Sequence, residues 1–169
     1  MKKIAILVLL FFLYPVAVHS QDATTYHKVG DKAPAFICRT LDGQTINIAR
    51  LRGKIILINF FATWCGPCNQ ELPVLQADIW NKYKNNKKFV LIVLGREHSE
   101  QELKDWITKK GFIMPFAADP KREIYSLFAK ESIPRNVIIG RDGKIAFQNI
   151  GYTEEEFKVL EEKLAELLK

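Results

Sequence analysis

The residues with the clearest potential for chemistry are Cys65 and Cys68, which are separated by Gly66 and Pro67. They follow an apolar run at residues 54–61 and precede a helical pattern. A helix start exposes unpaired backbone N–H groups and the positive end of the helix dipole, and both stabilise a thiolate. At such positions the pKa of a cysteine falls from about 8.5 into the range of roughly 3.5–7.5. The spacing therefore predicts a dithiol in which Cys65 attacks a disulfide and Cys68, one turn further on, resolves the mixed disulfide.

Other uses of a cysteine pair fit the sequence less well. A zinc site needs four ligands, and the chain after residue 20 adds only two histidines, His27 and His98. Covalent haem attachment needs a histidine directly after the second cysteine, where this chain has Asn69. A purely structural disulfide across so small a loop would give little entropic stabilisation. Dithiol–disulfide exchange is therefore the favoured chemistry.

The segments around the cysteines predict an α/β domain. Apolar runs at residues 54–61 and 89–94 suit strands that are buried on both faces of a sheet. Between them an apolar stripe with helical spacing predicts a helix, in which Pro73 should cause a kink. The stripe comprises Leu72, Leu75, Ile79 and Tyr83.

Turn signals predict two β-hairpins. Asp-Gly pairs at residues 42–43 and 142–143 stand between short apolar segments. The predicted strands are 35–39 and 44–48 in the first hairpin, and 136–139 and 144–148 in the second.

Capping signals predict two further helices, and an apolar side predicts a third. One begins at Ser99, with Glu102 completing a capping box, and ends at Gly111. Another begins at Thr153 and runs to the end of the chain. A shorter helix is expected over residues 121–130.

The first twenty residues have the pattern of a secretory signal peptide. Lys2 and Lys3 precede an apolar run at residues 4–14, Pro15 breaks the run, and Ser20 stands at the expected cleavage point. The run is too short for a membrane-spanning helix, which needs about 20 residues. We expect a signal peptide at residues 1–20 and a domain at 21–169 outside the cytoplasm, with an uncleaved membrane anchor as the alternative.

Composition limits the remaining possibilities. The chain has 169 residues, of which 48% are hydrophobic and 26% charged, as expected for one soluble domain. The net charge of +6 falls to about +4 without the two leader lysines, which is too small and too scattered to indicate nucleic-acid binding. Three cysteines, an odd number, cannot form a closed set of structural disulfides.

Four segments resemble the exported thioredoxin-like (TlpA/ResA-type) thiol–disulfide oxidoreductases. The resemblance rests on Ala33-Pro34-Ala35-Phe36, on Leu41-Asp42-Gly43, on the run from Asn59 to Cys68 and on Ser132-Ile133-Pro134-Arg135. It covers most of residues 31–168. It implies a thioredoxin-like fold, with a central mixed β-sheet flanked by helices and an N-terminal β-hairpin.

The resemblance also implies further site residues. In this family a cis proline faces the cysteine pair, and Pro134 is the matching residue. A cis peptide next to Ile133 would present backbone groups to an extended substrate segment, and Trp64 would shape the mouth of the site. The residue after the proline departs from the family pattern. It is Arg135, which indicates either an acidic feature on the substrate or an ordinary surface arginine.

A carboxylate near the cysteines is a second implication of the resemblance. Thioredoxins proper carry a buried aspartate where this chain has Asn59, which cannot titrate. TlpA/ResA-type proteins often have a glutamate three residues after the second cysteine, and Glu71 matches it. Glu71 shares a helix face with Cys68 and could take its proton, or it could complement the helix dipole from solvent.

Two more residues with reactive side chains, Cys38 and His98, are not expected to take part in catalysis. Cys38 shares a strand face with Phe36, so we expect a buried, inert thiol. His98 follows the C-terminal end of a predicted strand, where α/β sites gather, but a capped surface loop is the favoured interpretation.

These observations predict an extracytoplasmic thiol–disulfide oxidoreductase without a cofactor other than its own dithiol. Its expected partners are exported proteins bearing disulfides or thiols, together with a membrane electron donor. A peroxiredoxin-like peroxidase is one alternative, although it would want threonine where Ala62 stands. A copper-binding module is another, with His98 as a remote third ligand.

Overall fold

The computed structural model describes residues 23–169, and its centre is a five-stranded mixed β-sheet in the order β5-β4-β3-β6-β7. Strands β3 (Ile55–Phe61), β4 (Phe89–Arg96) and β5 (Phe116–Asp119) run parallel to one another. Strands β6 (Arg135–Ile139) and β7 (Ile145–Ile150) form the antiparallel half. The predicted mixed sheet is confirmed, and β3 lies at its centre.

The predicted N-terminal hairpin forms a separate two-stranded sheet. Its strands are β1 (Ile37–Arg39) and β2 (Thr45–Asn47), followed by a short 3-10 helix at Ile48–Arg50. Gly43 in the turn has a φ of +93°, a conformation that glycine adopts without steric cost. The first Asp-Gly signal is therefore confirmed.

The helix after β3 is continuous but changes its hydrogen-bond pattern. It begins as α1 (Gly66–Val74), continues as a π-helical segment at Leu75–Trp80 and ends as α2 (Asn81–Tyr83). Pro73 lies inside α1, directly before the change. Because proline has no backbone N–H, the i→i−4 ladder is already interrupted there, and such interruptions accompany π-helical turns.

Three other helices complete the fold. Helix α3 (Glu100–Lys110) carries the predicted capping box of Ser99 and ends at Gly111 in the left-handed conformation. Helix α5 (Glu154–Leu168) begins at Thr153, as predicted. Helix α4 (Tyr125–Phe128) is much shorter than the predicted helix at 121–130. Strand β5 was not predicted at all.

The sheet separates two hydrophobic cores. Alternate residues of β3 point to opposite faces, so Leu57 and Phe61 pack under α1 whereas Ile58 and Phe60 pack against the hairpin side. Within residues 23–169 no helix combines the length and apolarity that a membrane crossing needs. The expected signal segment at 1–20 lies outside the described residues.

Candidate active site

Cys65 and Cys68 form a disulfide at the start of α1. Cys65 is the N-cap residue, and its Sγ accepts a hydrogen bond of 3.2 Å from the Cys68 backbone N–H. Cys65 is 4% exposed and Cys68 is fully buried. The two sulfurs are therefore not equivalent, because an incoming molecule can reach only Cys65.

Asn69 is one of the side chains that fix the segment between β3 and α1. The Asn69 Nδ2 group donates hydrogen bonds of 2.9 Å to the carbonyl oxygens of Thr63 and Cys65. From the sequence alone, Asn69 only excludes haem attachment. Its position four residues after Cys65, one turn along the helix, is the signal that could have shown this role.

The segment around Pro134, predicted to face the cysteine pair, lies against the disulfide. The Ile133–Pro134 peptide bond is cis, and the Ile133 carbonyl oxygen is 3.8 Å from Cys65 Sγ. Ser132 has a positive φ of 78°, and its carbonyl accepts a 2.9 Å hydrogen bond from the Tyr125 hydroxyl. Residues 132–134 thus present a fixed backbone beside Cys65.

Trp64 forms an exposed apolar wall next to Cys65, with 62% of its surface accessible. The Arg96 guanidinium lies 5.6 Å from the centre of its ring and 4.9 Å from that of Tyr125. Arg96 also forms an ion pair with Glu97, at 3.1 Å. Sequence reasoning missed Arg96, because only the parallel pairing of β3 with β4 brings it to Trp64.

Glu71 lies in α1, three residues after Cys68, and is 1% exposed. Its two carboxylate oxygens accept hydrogen bonds from Asn59 Nδ2 at 2.8 Å and Asn136 Nδ2 at 2.6 Å. Burial raises the pKa of Glu71 to about 7, while the two amide hydrogen bonds act in the opposite direction. The interpretation of Glu71 as a solvent-exposed partner of the helix dipole is wrong.

His98 is buried beside the site, not in a surface loop as favoured from the sequence. It is 7% exposed, and its Nε2 accepts a 3.0 Å hydrogen bond from the Thr63 backbone N–H. Burial lowers the pKa of the ring and favours the neutral form, which alone has an acceptor nitrogen.

Arg135 has neither of the roles expected for it, because it is only 1% exposed. Its guanidinium donates to the hydroxyls of Thr25 at 2.7 Å and Thr24 at 3.3 Å, and to the Glu131 carbonyl at 3.0 Å. The side chain therefore joins the first described residues of the chain to the segment that carries Pro134.

Cys38 is buried in the hairpin, as expected. Burial, reinforced by the charge of Asp119, raises the pKa of its thiol to about 11. Its reactivity is low because the thiolate is the reactive form.

The two alternative chemistries gain no support from the geometry. Among residues 23–169 no three His, Cys, Asp or Glu side chains converge as a metal site would require. Ala62, which stands where a peroxidase would want threonine, is buried and offers no hydroxyl.

Comparison with known proteins agrees with this geometry. The family model described as Redoxin matches residues 28–164. The thiol–disulfide oxidoreductase ResA of Bacillus anthracis is 31% identical over 129 residues, which cover 76% of this chain and 73% of that protein. The thioredoxin-like protein YneN of Bacillus subtilis is 29% identical over 80% of this chain and 78% of its own length.

Solved structures share the fold. A Bacteroides thetaiotaomicron protein proposed to be a protein disulfide isomerase superposes with a TM-score of 0.82 at 35% identity, covering 86% of this chain and 92% of that one. A Chlorobium tepidum protein proposed to be the thiol:disulfide interchange protein DsbE gives a TM-score of 0.72 at 26% identity, covering 84% and 99%.

Proposed function

Since this chain belongs to the redoxin family as a TlpA/ResA-type thiol–disulfide oxidoreductase, we propose that it reduces disulfides of exported proteins through Cys65 and Cys68. The observation that carries the proposal is the asymmetry of the pair. Cys65 Sγ lies at the surface end of α1, 3.8 Å from the Ile133 carbonyl, whereas Cys68 is buried behind it. One sulfur is therefore suited to meet the substrate and the other to release it.

The first step is attack by the Cys65 thiolate on a substrate disulfide. A bond forms between Cys65 Sγ and one substrate sulfur, and the other substrate sulfur leaves as a thiolate. The Cys68 N–H, which bonds Cys65 Sγ at 3.2 Å, and the α1 dipole both stabilise the attacking thiolate.

The second step releases the substrate. Glu71 accepts the proton of the Cys68 thiol, and the Cys68 thiolate attacks Cys65 Sγ. The Cys65–Cys68 disulfide forms, and the second substrate sulfur leaves as a thiolate that takes up a proton. Two electrons pass from the dithiol to the substrate. A carboxyl group whose pKa is about 7 suits this exchange, because it gains and loses a proton near neutral pH.

Substrate binding is assigned to the backbone beside the disulfide. An extended substrate segment would lie along residues 132–134 and accept or donate main-chain hydrogen bonds at Ile133, as an added strand does. Trp64, which is largely exposed, would cover the apolar side of that segment. This arrangement recognises chain conformation more than side-chain identity.

The cellular setting follows from the leader at residues 1–20, which supports export. Outside the cytoplasm the Cys65–Cys68 disulfide must be reduced again after each turnover. Two electrons per cycle therefore have to come from a partner dithiol, and a membrane protein that carries electrons across the bilayer is the donor we propose.

The test is a redox titration of the protein produced with its own leader and purified from the extracytoplasmic fraction. Equilibration in graded glutathione buffers gives the midpoint potential of the pair. A value near about −270 mV supports a reductant, whereas a value near about −120 mV overturns the proposed direction. Peroxide consumption by the reduced protein, absent in our proposal, would favour the peroxidase instead. N-terminal sequencing of the same preparation tests cleavage near residue 20.

A further inference from the structure

Three buried polar side chains interrupt the apolar layer between the sheet and α1. They are Asn59 of β3, Asn136 of β6 and Glu71 of α1, and each is at most 1% exposed. Their neighbours on this face of β3, Leu57 and Phe61, belong to the hydrophobic core. Polar groups so placed cost free energy unless they are bonded to one another.

The sheet register brings the two asparagines together. Asn59 and Asn136 stand directly opposite each other in the antiparallel pairing of β3 with β6, so both side chains lie on the α1 face. Asn59 Nδ2 donates a 2.9 Å hydrogen bond to Asn136 Oδ1. That bond orients the Asn136 amide so that its Nδ2 group points to Glu71.

Each carboxylate oxygen of Glu71 then faces an amide donor, at 2.8 Å from Asn59 and 2.6 Å from Asn136. An ionised carboxylate accepts both bonds. A protonated carboxyl group turns one oxygen into a donor, so one of the two contacts would become donor against donor. The amides therefore favour the ionised form.

The other groups around Glu71 do not provide this stabilisation. Within the described residues no Lys, Arg or His forms an ion pair with Glu71. The titratable groups facing it are Cys68 on its own helix, once reduced, and Tyr152 from the segment after β7, and neither carries a positive charge. Arg135 of β6 lies on the other face of the sheet, with Phe60.

We propose that Asn59 and Asn136 are positioning residues that orient Glu71 and favour its ionised form, in which it can accept the proton of Cys68. The inference rests on the proposed function, which makes Glu71 the proton acceptor. The step is a proton transfer only: the Cys68 S–H bond breaks, the Glu71 O–H bond forms, and the thiolate left on Cys68 attacks Cys65. The protonated carboxyl would then lose one amide hydrogen bond, which favours return of the proton to solvent at the end of the cycle.

The test replaces one amide by an apolar side chain with the same branching and the same number of heavy atoms. Asn136→Leu and Asn59→Leu each delete a donor to Glu71, and Asn149→Leu is the matched control. Asn149 faces Asn136 from β7 but makes no hydrogen bond with Glu71. Two quantities are measured for each variant: the carboxyl pKa of Glu71 by carbon-13 NMR, and the pH profile of mixed-disulfide resolution in a single turnover.

We expect Asn136→Leu to raise the Glu71 pKa by about one unit, and to slow resolution at neutral pH with recovery in more alkaline buffer. The control should change neither quantity. An unchanged Glu71 pKa in both Leu variants overturns the inference, because a merely structural role would lower stability without moving the titration. If Asn136→Leu does not fold, Asn136→Ser replaces it.

The two proposals fail in distinguishable ways. If Glu71→Gln leaves the pH profile of resolution unchanged, Glu71 is not the proton acceptor and that part of the proposed function is lost. The asparagines would still be positioning residues for the carboxylate if its directly measured pKa rises in the Leu variants. If Glu71→Gln abolishes the profile but the Leu variants change nothing, only the role of the asparagines is wrong.

Discussion

The backbone N–H of Thr63 donates a hydrogen bond to Nε2 of His98, so an imidazole supports the segment that leads into the reactive Cys65. The acceptor exists only while the ring is neutral, and burial favours that form. The segment before Cys65 and the segment after β4 are thus joined by a side chain that becomes charged as the pH falls.

His98 should make the protein less stable in acid. Its pKa is lowered below the ordinary 6.5, so the unfolded chain binds the proton more tightly than the folded one. The stabilisation is present above pH 6.5 and is lost as the pH falls below that value. Urea unfolding at about pH 7.5 and about pH 5 measures it.

The variant His98→Gln keeps an acceptor for the Thr63 N–H but cannot titrate. We expect it to lose the acid-side decrease, while His27→Gln, whose ring bonds Leu127 instead, should retain it. An identical pH dependence in His98→Gln and the parent protein would exclude His98 as its origin.

Glu71 should affect the pH dependence of stability in the direction opposite to His98, making the protein less stable in alkaline solution. Its pKa is raised from 4.5 to about 7, so the folded state holds the proton more tightly and its contribution to stability is lost as the pH rises through 7. Glu71→Gln should remove this slope and, in the oxidised protein near pH 8, be more stable than the parent by about 2 kcal/mol. Chemical denaturation across this range, with the exposed Glu166→Gln as control, decides the point.

The two cysteines should differ sharply when substituted. Cys68→Ser should accumulate a mixed disulfide with insulin, because Cys65 still attacks and nothing resolves the adduct. Cys65→Ser should form at least about a hundredfold less adduct, since Cys68 is inaccessible. Non-reducing gels and mass spectrometry measure both. Cys38→Ser should behave as the parent does, and an adduct that depends on Cys38 would contradict its assignment as inert.

Arg135 should hold the N-terminal segment in place. Arg135→Met removes the bonds to Thr24 and Thr25, so the pairing next to them, in which the Lys130 N–H donates to the Thr24 carbonyl, should open more often. Hydrogen exchange should become about tenfold faster at the Lys130 and Tyr26 amides.

The core strands supply the control for Arg135→Met. Amides of β3 should exchange at an unchanged rate if the effect is local. Faster exchange throughout the sheet would mean that the guanidinium stabilises the whole fold instead. Arg141→Met, at an exposed turn, is the matched substitution.

Local patterns were sufficient to predict the elements that carry the disulfide. The strand before Cys65, the helix after it and the capping box of Ser99 depend on residues close together in the chain, and each appears where expected. Strand β5 was missed because it has only four residues and follows Pro115, so its apolar run is short.

What the sequence could not show depends on distant partners. The helix expected at 121–130 is short because Asp119 bonds the N–H groups of Ile124 and Tyr125, and because Ala129 turns extended to pair with Thr25. The burial of Arg135 likewise requires hydroxyls about 110 positions earlier in the chain. The spacing of apolar residues along the chain does not show contacts between residues so far apart.

The burial of Cys38 has a consequence for how the chain matures. Three cysteines allow three pairings, and two of them would use up Cys65 or Cys68 in a crosslink that cannot turn over. With a thiol pKa of about 11, only about one molecule in ten thousand presents the Cys38 thiolate at neutral pH once the hairpin has closed. Packing of the hairpin thus disfavours the two disulfides that involve Cys38. A chain oxidised before the hairpin forms would lack this protection.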